Sequence, residues 1–240
     1  MIRTLWVGLN LLIATIPFAT IIIVGGWLKA SSEFHHWASS SWAGWVIWAS
    51  GTRVKLEGLE HLAADKPQII VANHSSWYDV FALAARLPKV YRFIAKVELS
   101  RIPMFGPAWL AAGHIAIDRS DHQAALAALD RAAEVIRADN SAIVIFPEGT
   151  RSATGQLLPF KKGGFMVALR TGVDIVPCAI TGSRDVMPRD SWRVRKGEIT
   201  IRFGPPIRTA EYTDSNRDEL MQRVRNDVAA MLEKPALSNR

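Results

Sequence analysis

From Leu5 to Leu28 the chain runs for about two dozen residues without a charged side chain, between Arg3 and Lys29. That length is enough to cross a bilayer core, which takes roughly 20 apolar residues as helix. Three readings compete. A cleaved signal peptide would need a shorter apolar stretch, typically about 7–15 residues, and a small-x-small cleavage site; no such site closes this run. A spanning helix fits the length, although Pro17 and Gly25-Gly26 would kink or weaken it. The third reading is a membrane-embedded hairpin whose second arm is "HHWASSSWAGWVIWAS". That arm holds Trp37, Trp42, Trp45 and Trp48, four of the chain's nine tryptophans. An indole ring is apolar with one wet N–H, so tryptophan concentrates at the headgroup level. The expectation is a membrane-anchoring helical segment over residues 1–50, with a lean toward a monotopic hairpin over a spanning one.

The 240 residues allow one large domain beside such an appendage. The mean hydropathy of +0.10 is high for a soluble enzyme, and most of the excess lies in the first 50 residues. A formal charge of +7 suits an anionic partner: nucleic acid, an acidic membrane surface or a phosphorylated small molecule. A single cysteine, Cys178, excludes an internal disulfide.

After Gly51 the pattern changes. "RVKLEG", "QIIVA", "VYRFIAK", "HIAID", "AIVIFP", "DIVPCAI" and "EITIRFG" read as strands. Helical patterns fall between them. Ser120-x-x-Gln123 opens one as a capping box, with Leu126, Leu129, Ala133 and Ile136 on one face. "KKGGFMVALRTG" is a short helix closed by Gly172, and Leu220, Val224, Val228 and Met231 mark a last helix starting near Ser215. "HLAADKP" and "MPRDSWRVRKG" read as surface loops. Strands alternating with helices predict an α/β fold with a mostly parallel, buried sheet over residues 51–240.

The chemistry-bearing residues gather at predicted strand ends, where open α/β sheets place ligands. "NHSSWYD" follows "QIIVA". His74 and Asp79 are five apart, about 140° out of phase on a helix. A turn at His74 followed by a helix capped by Ser75 or Ser76 would bring them together. Asp79 could then bind one ring nitrogen and leave the other free as a base. The plain alternative is a surface histidine and a helix-start aspartate. "FPEGTRS" follows "AIVIF": Pro147 ends the ladder, Gly149 allows a tight turn, and Glu148 and Arg151 project near one site. Arg151 can hold phosphate through two oxygens, or pair with Glu148 as a loop salt bridge. Lys96 and Arg119 close two further strands. Lys161 and Lys162 either extend this basic cleft or start a helix in solvent. No nucleophile elbow, P-loop or dinucleotide-binding glycine pattern occurs, and the histidines lack zinc spacing. Cys178 reads as a buried small hydrophobe.

"NHSSWYD", "GHIAIDR", "FPEGTRS" and "IVPCAI", in that order, resemble the four blocks of the glycerolipid acyltransferases, especially the bacterial 1-acylglycerol-3-phosphate acyltransferases. The resemblance covers roughly residues 50 to 210. It implies His74 as general base, oriented by Asp79. It implies substrate binding by Glu148, Gly149, Thr150 and Arg151, with Glu148 positioning the acceptor's glycerol and Arg151 its phosphate. Lys96 and Arg119 resemble further phosphate-binding residues. The implied reaction moves an acyl group from acyl-CoA or acyl carrier protein to lysophosphatidic acid, giving phosphatidic acid without a cofactor or metal. The implied partners are those substrates and membrane lipids, not nucleic acid. The implied location is the inner cell membrane, with the catalytic domain facing the cytoplasm. Oxyanion donors are expected from the turn after His74 or the helix start. Rival readings are an acyltransferase for another lyso-lipid, such as lyso-ornithine lipid, and a non-catalytic protein that binds anionic lipid.

Overall fold

A computed structural model describes residues 1–118 and 122–234. All seven expected strands form: β1 (Arg53–Glu57), β2 (Gln68–Ala72), β3 (Tyr91–Lys96), β4 (Ile115–Ile117), β5 (Ala142–Ile145), β6 (Ile175–Thr181) and β7 (Glu198–Phe203). They make one sheet in the order β1-β7-β6-β2-β5-β3-β4. Every pairing is parallel except β6 with β7. The central strands are buried on both faces, which is why β2 and β5 read as unbroken apolar runs rather than alternating ones.

Helices cover both faces. On one side lie α2 (Ser32–Ser50) and α3 (Trp77–Arg86). Their Ala43, Ile47, Ala82 and Leu83 join Ile70, Val144 and Ile201 in one apolar cluster. On the other side α5 (His122–Asp139), α6 (Gly163–Thr171) and α8 (Arg217–Glu233) bury Ile136, Phe165, Leu220, Val224 and Val228 against Ile69, Ile143 and Ile175. Gly172 ends α6 at φ +67, the left-handed turn that a helix C-terminus favours in glycine. The capping box expected before α5 begins at Ser120, outside the described residues. Two short helices without a clear sequence signal complete the set: α4 (Phe105–Ala111) and α7 (Ser183–Val186).

The apolar N-terminal run is α1 (Ile2–Trp27), antiparallel to α2. Both ends of α1 are tied to the rest of the molecule. Arg3 Nη1 donates to Ser50 O at 2.7 Å and Thr4 Oγ1 accepts from Val194 N at 3.1 Å. At the far end Gly26 packs so closely on Ala111 of α4 that a Cβ there would lie 3.1 Å from it. Polar residues of α1 satisfy indoles of α2. Thr15 Oγ1 and Asn10 Oδ1 accept from the ring N–H of Trp42 and Trp45, each at 3.1 Å. The opposite face of α1 leaves Leu5, Leu9, Leu12, Ile13 and Ile16 exposed. Contiguous apolar exposure of this kind marks an interaction surface.

Candidate active site

The site grows out of two adjacent parallel strands. β2 and β5 pair with Val71 opposite Ile145. His74 and Glu148 each follow three residues later, so the two exit loops leave the sheet at the same height. Two bonds stitch the loops together, through His74 N and His74 O, and a third fixes Glu148 within its own loop. His74 N donates to Glu148 Oε1 at 2.6 Å, Leu158 N donates to Glu148 Oε2 at 2.9 Å, and Ser152 N donates to His74 O at 2.7 Å. On the other flank Asn73 extends the sheet pattern by one residue. Its side chain donates to Ile180 O and accepts from Ile180 N on β6, at 2.9 and 2.7 Å.

α3 begins at once. Ser76 is its N-cap in extended backbone (φ −148, ψ 157), and its Oγ accepts from Tyr78 N. Asp79 sits at the third helical position and closes the reciprocal capping box. Its Oδ2 accepts from Ser75 N at 2.7 Å, Ser76 N at 2.8 Å and His74 Nδ1 at 2.8 Å. A carboxylate can only accept, so the imidazole hydrogen belongs on Nδ1 and Nε2 keeps its lone pair. The five-residue offset thus works through a turn, as expected. Asp79 is fully buried, and the His74 ring stacks on Phe146 with centroids 4.2 Å apart. Lock and backing together hold the free nitrogen toward a cavity.

That cavity is about 860 Å³. His74, Lys96, Gly149, Thr150 and Arg151 all line it. Arg151 lies over the Trp77 ring, Cζ 5.1 Å from its centroid, and shares backbone bonds with Arg189. Burial and the neighbouring Arg189 push its guanidinium pKa down from the ordinary value. Most of the remaining wall is apolar, with Ser39, Glu98 and His114 among the polar exceptions. Residues from Thr4 to Ile22 of α1 flank it, with Trp42 of α2, Phe81 of α3, and Ala108 and Trp109 of α4. The eighteen residue steps from Thr4 to Ile22, at ~1.5 Å each, make this flank about 27 Å long.

Several expectations need adjustment. Glu148 is 3% exposed and does not line the cavity. Both of its oxygens accept from backbone N–H groups, and no ion pair with Arg151 forms among the described residues. Burial raises its pKa, partly offset by the N–H groups of Leu158 and His74. Lys161 and Lys162 stay out of the cleft: Lys162 opens α6 and lies 4.0 Å from Asp218 of α8. Arg119 falls outside the described residues. The N–H groups of Ser75 and Ser76 are taken by Asp79, so they are not free to hold an oxyanion. "MPRDSWRVRKG" is a loop, but it brings Met187, Trp192 and Val194 to the cavity wall. Asn73, Phe146 and Trp77 carried no chemical signal of their own, because their roles depend on neighbours from other strands.

An imidazole held by a buried carboxylate thus lies at parallel strand ends, beside an arginine and a long, mainly apolar cavity. The profile of the family described as Acyltransferase matches residues 53–181. The chain belongs to that family. Among curated relatives, a 1-acyl-sn-glycerol-3-phosphate acyltransferase of Cocos nucifera is 36% identical over 179 residues, covering 75% of this chain and 58% of that protein. One from Limnanthes douglasii is 38% identical over 181 residues, covering 75% and 64%. The human alpha form is 31% identical over 190 residues, covering 79% and 67%. The chain therefore spans about three fifths of the plant relatives' length. In fold, it superposes on the crystal structure of the 1-acyl-sn-glycerophosphate (LPA) acyltransferase PlsC from Thermotoga maritima. The TM-score is 0.82 at 23% identity, covering 100% of this chain and 97% of that one.

Proposed function

We propose that this protein is a membrane-docked O-acyltransferase that forms phosphatidate from lysophosphatidate and an acyl thioester of coenzyme A or acyl carrier protein. The observation that carries the reading is the His74–Asp79 pair at 2.8 Å, opening on the same cavity as Arg151. Binding an anionic lipid needs the arginine but not the locked imidazole.

In this reading Nε2 of His74 takes the proton of the acceptor hydroxyl as its oxygen attacks the thioester carbonyl. Nδ1–H stays on Asp79, whose carboxylate stabilises the imidazolium. The tetrahedral intermediate then expels the thiolate, which regains the proton from His74. No enzyme nucleophile is needed, because the thioester is already activated. Arg151 holds the phosphate, with Lys96 at the cavity edge, and Gly149, at φ +71, lets the backbone approach. Glu148 sets the height of the His74 turn, a positioning role. The apolar cavity takes an acyl chain.

The tethering of α1 at both ends supports a monotopic arrangement. A helix crossing the bilayer alone would leave one end far from the domain, about 39 Å away for 26 residues. Here the apolar outer face would lie in the inner-membrane leaflet, with the catalytic domain on the cytoplasmic side.

His74→Ala tests the reading. A positioned base contributes about 10²–10⁴-fold, so kcat should fall by that range while lysophosphatidate binding persists. Purified enzyme with lysophosphatidate and each thioester in turn, followed by lipid analysis, measures this. Undiminished turnover would remove His74 from the mechanism.

A further inference from the structure

We propose that the loop at residues 188–197, between α7 and β7, is a second membrane contact, one that recognises anionic phospholipid headgroups. The loop reads "PRDSWRVRKG". Arg189 is engaged, bonding Arg151 O and lying 3.5 Å from Asp190. Arg193, Arg195 and Lys196 are different: all three are exposed, and none forms an ion pair among the described residues. Beside them Trp192 is 81% exposed. An indole so open to water is costly in solution and favoured at a headgroup layer.

The loop is held in place rather than loose. Arg195 N donates to Val186 O at 2.8 Å, Arg53 N to Gly197 O at 3.0 Å, and Val194 N to Thr4 Oγ1. The last bond sets the loop against the start of α1. Lys196 and Arg3 meet around Gly51, where a Cβ would lie 2.9 Å from Arg3 Nη1 and 3.7 Å from Lys196 Cγ. Exposed Trp6, Trp45 and Trp48 belong to the same end of the α1–α2 pair, the last two with ring centroids 5.5 Å apart. Apolar face, tryptophans and cations therefore run as one surface. This continuity favours a lipid leaflet over an acidic protein, which would need a face clear of the bilayer. Trp192 and Val194 also line the cavity, so the loop would seat the cavity mouth on the leaflet from which acceptor arrives. The inference rests on the membrane-docked reading above but not on its chemistry.

The test uses the full chain with vesicles of phosphatidylcholine, alone or mixed with phosphatidylglycerol. A basic residue at an anionic surface contributes about fivefold to partitioning. Replacing three together, Arg193→Gln, Arg195→Gln and Lys196→Gln, should lower partitioning to the mixed vesicles by on the order of 100-fold at low salt. Binding to phosphatidylcholine alone, and turnover of a monomeric short-chain lysophosphatidate, should stay at the parent level. If insertion of α1 saturates binding, an environment-sensitive dye on Arg193→Cys gives the second measurement; native Cys178 is fully buried and will not compete for label. The dye emission should shift to the blue with mixed vesicles only. Parent-like partitioning of the triple variant, or a dye that stays in water, overturns the proposal. So does a triple variant that binds mixed vesicles normally but shows a raised KM for the acyl carrier protein thioester, which would assign the loop to that acidic partner. Failure of the parent to bind phosphatidylcholine would instead count against the α1 docking face.

Discussion

The bonds around Glu148 give a sharp prediction for Glu148→Gln. The substitution preserves size and hydrogen-bonding shape but replaces one oxygen by an NH₂ group. Both native oxygens accept backbone N–H groups, from His74 at 2.6 Å and Leu158 at 2.9 Å. Glutamine can accept only one of them, and its amide hydrogens then face the other donor. A charge-assisted bond lost in a buried setting costs about 1.5–3 kcal/mol. The loop can relieve the conflict by moving, and the His74 turn is what would move. A displacement near 1 Å at a reacting group costs on the order of 10²-fold in rate. We therefore expect kcat to fall by about that factor, with the acceptor KM close to the parent value. The assay is initial rate against lysophosphatidate at saturating acyl thioester, with a thermal unfolding curve on the same sample. A global unfolding defect would show as lost signal; a displaced base shows as low kcat in folded protein. If kcat is unchanged and the acceptor KM rises instead, Glu148 contacts the glycerol and its positioning role is wrong.

Two further outcomes follow from named contacts. Arg151→Ala should raise the acceptor KM far more than the donor KM, since this guanidinium is stacked over Trp77 and lines the cavity beside His74; steady-state kinetics with each substrate varied decides, and an unchanged acceptor KM removes the phosphate assignment. Thr15→Val should strand the Trp42 indole N–H and cost about 1–3 kcal/mol, a fall of about 2–4 °C in Tm per kcal/mol for a chain of this size. Thr20→Val, whose hydroxyl among the described residues bonds only the Ile16 carbonyl of its own helix, should leave Tm nearly unchanged, and equal shifts in the two would show that the α1–α2 bond carries no stability.

The parts of this molecule that could be read in its sequence are those set by local chemistry. A strand buried on both faces must be apolar throughout, so β2, β5 and β6 announced themselves. Ser76 and Asp79 form a capping box in consecutive sequence, and that local motif is also what carries Asp79 to His74. The His74–Asp79 pair was therefore legible because it is an elaboration of a helix start. Glu148 was legible as a strand-end residue but not in its role. Leu158, 10 residues on, lies in its own loop, but His74, 74 residues away, meets it only because β5 inserts beside β2. The same holds for Phe146 behind the imidazole and for Asn73 bridging to β6. The loop at 188–197 looked like solvent-facing chain because its polar composition is that of a loop. Its place on the cavity wall comes from Val194 binding Thr4, a contact across 190 residues. The N-terminal run shows the same division. Its length predicted lipid, but whether it stands through a bilayer or lies along one depends on what its two ends touch. Thr4, Arg3 and Gly26 all touch the folded domain, which leaves the row from Leu5 to Ile16 as the face available to a leaflet.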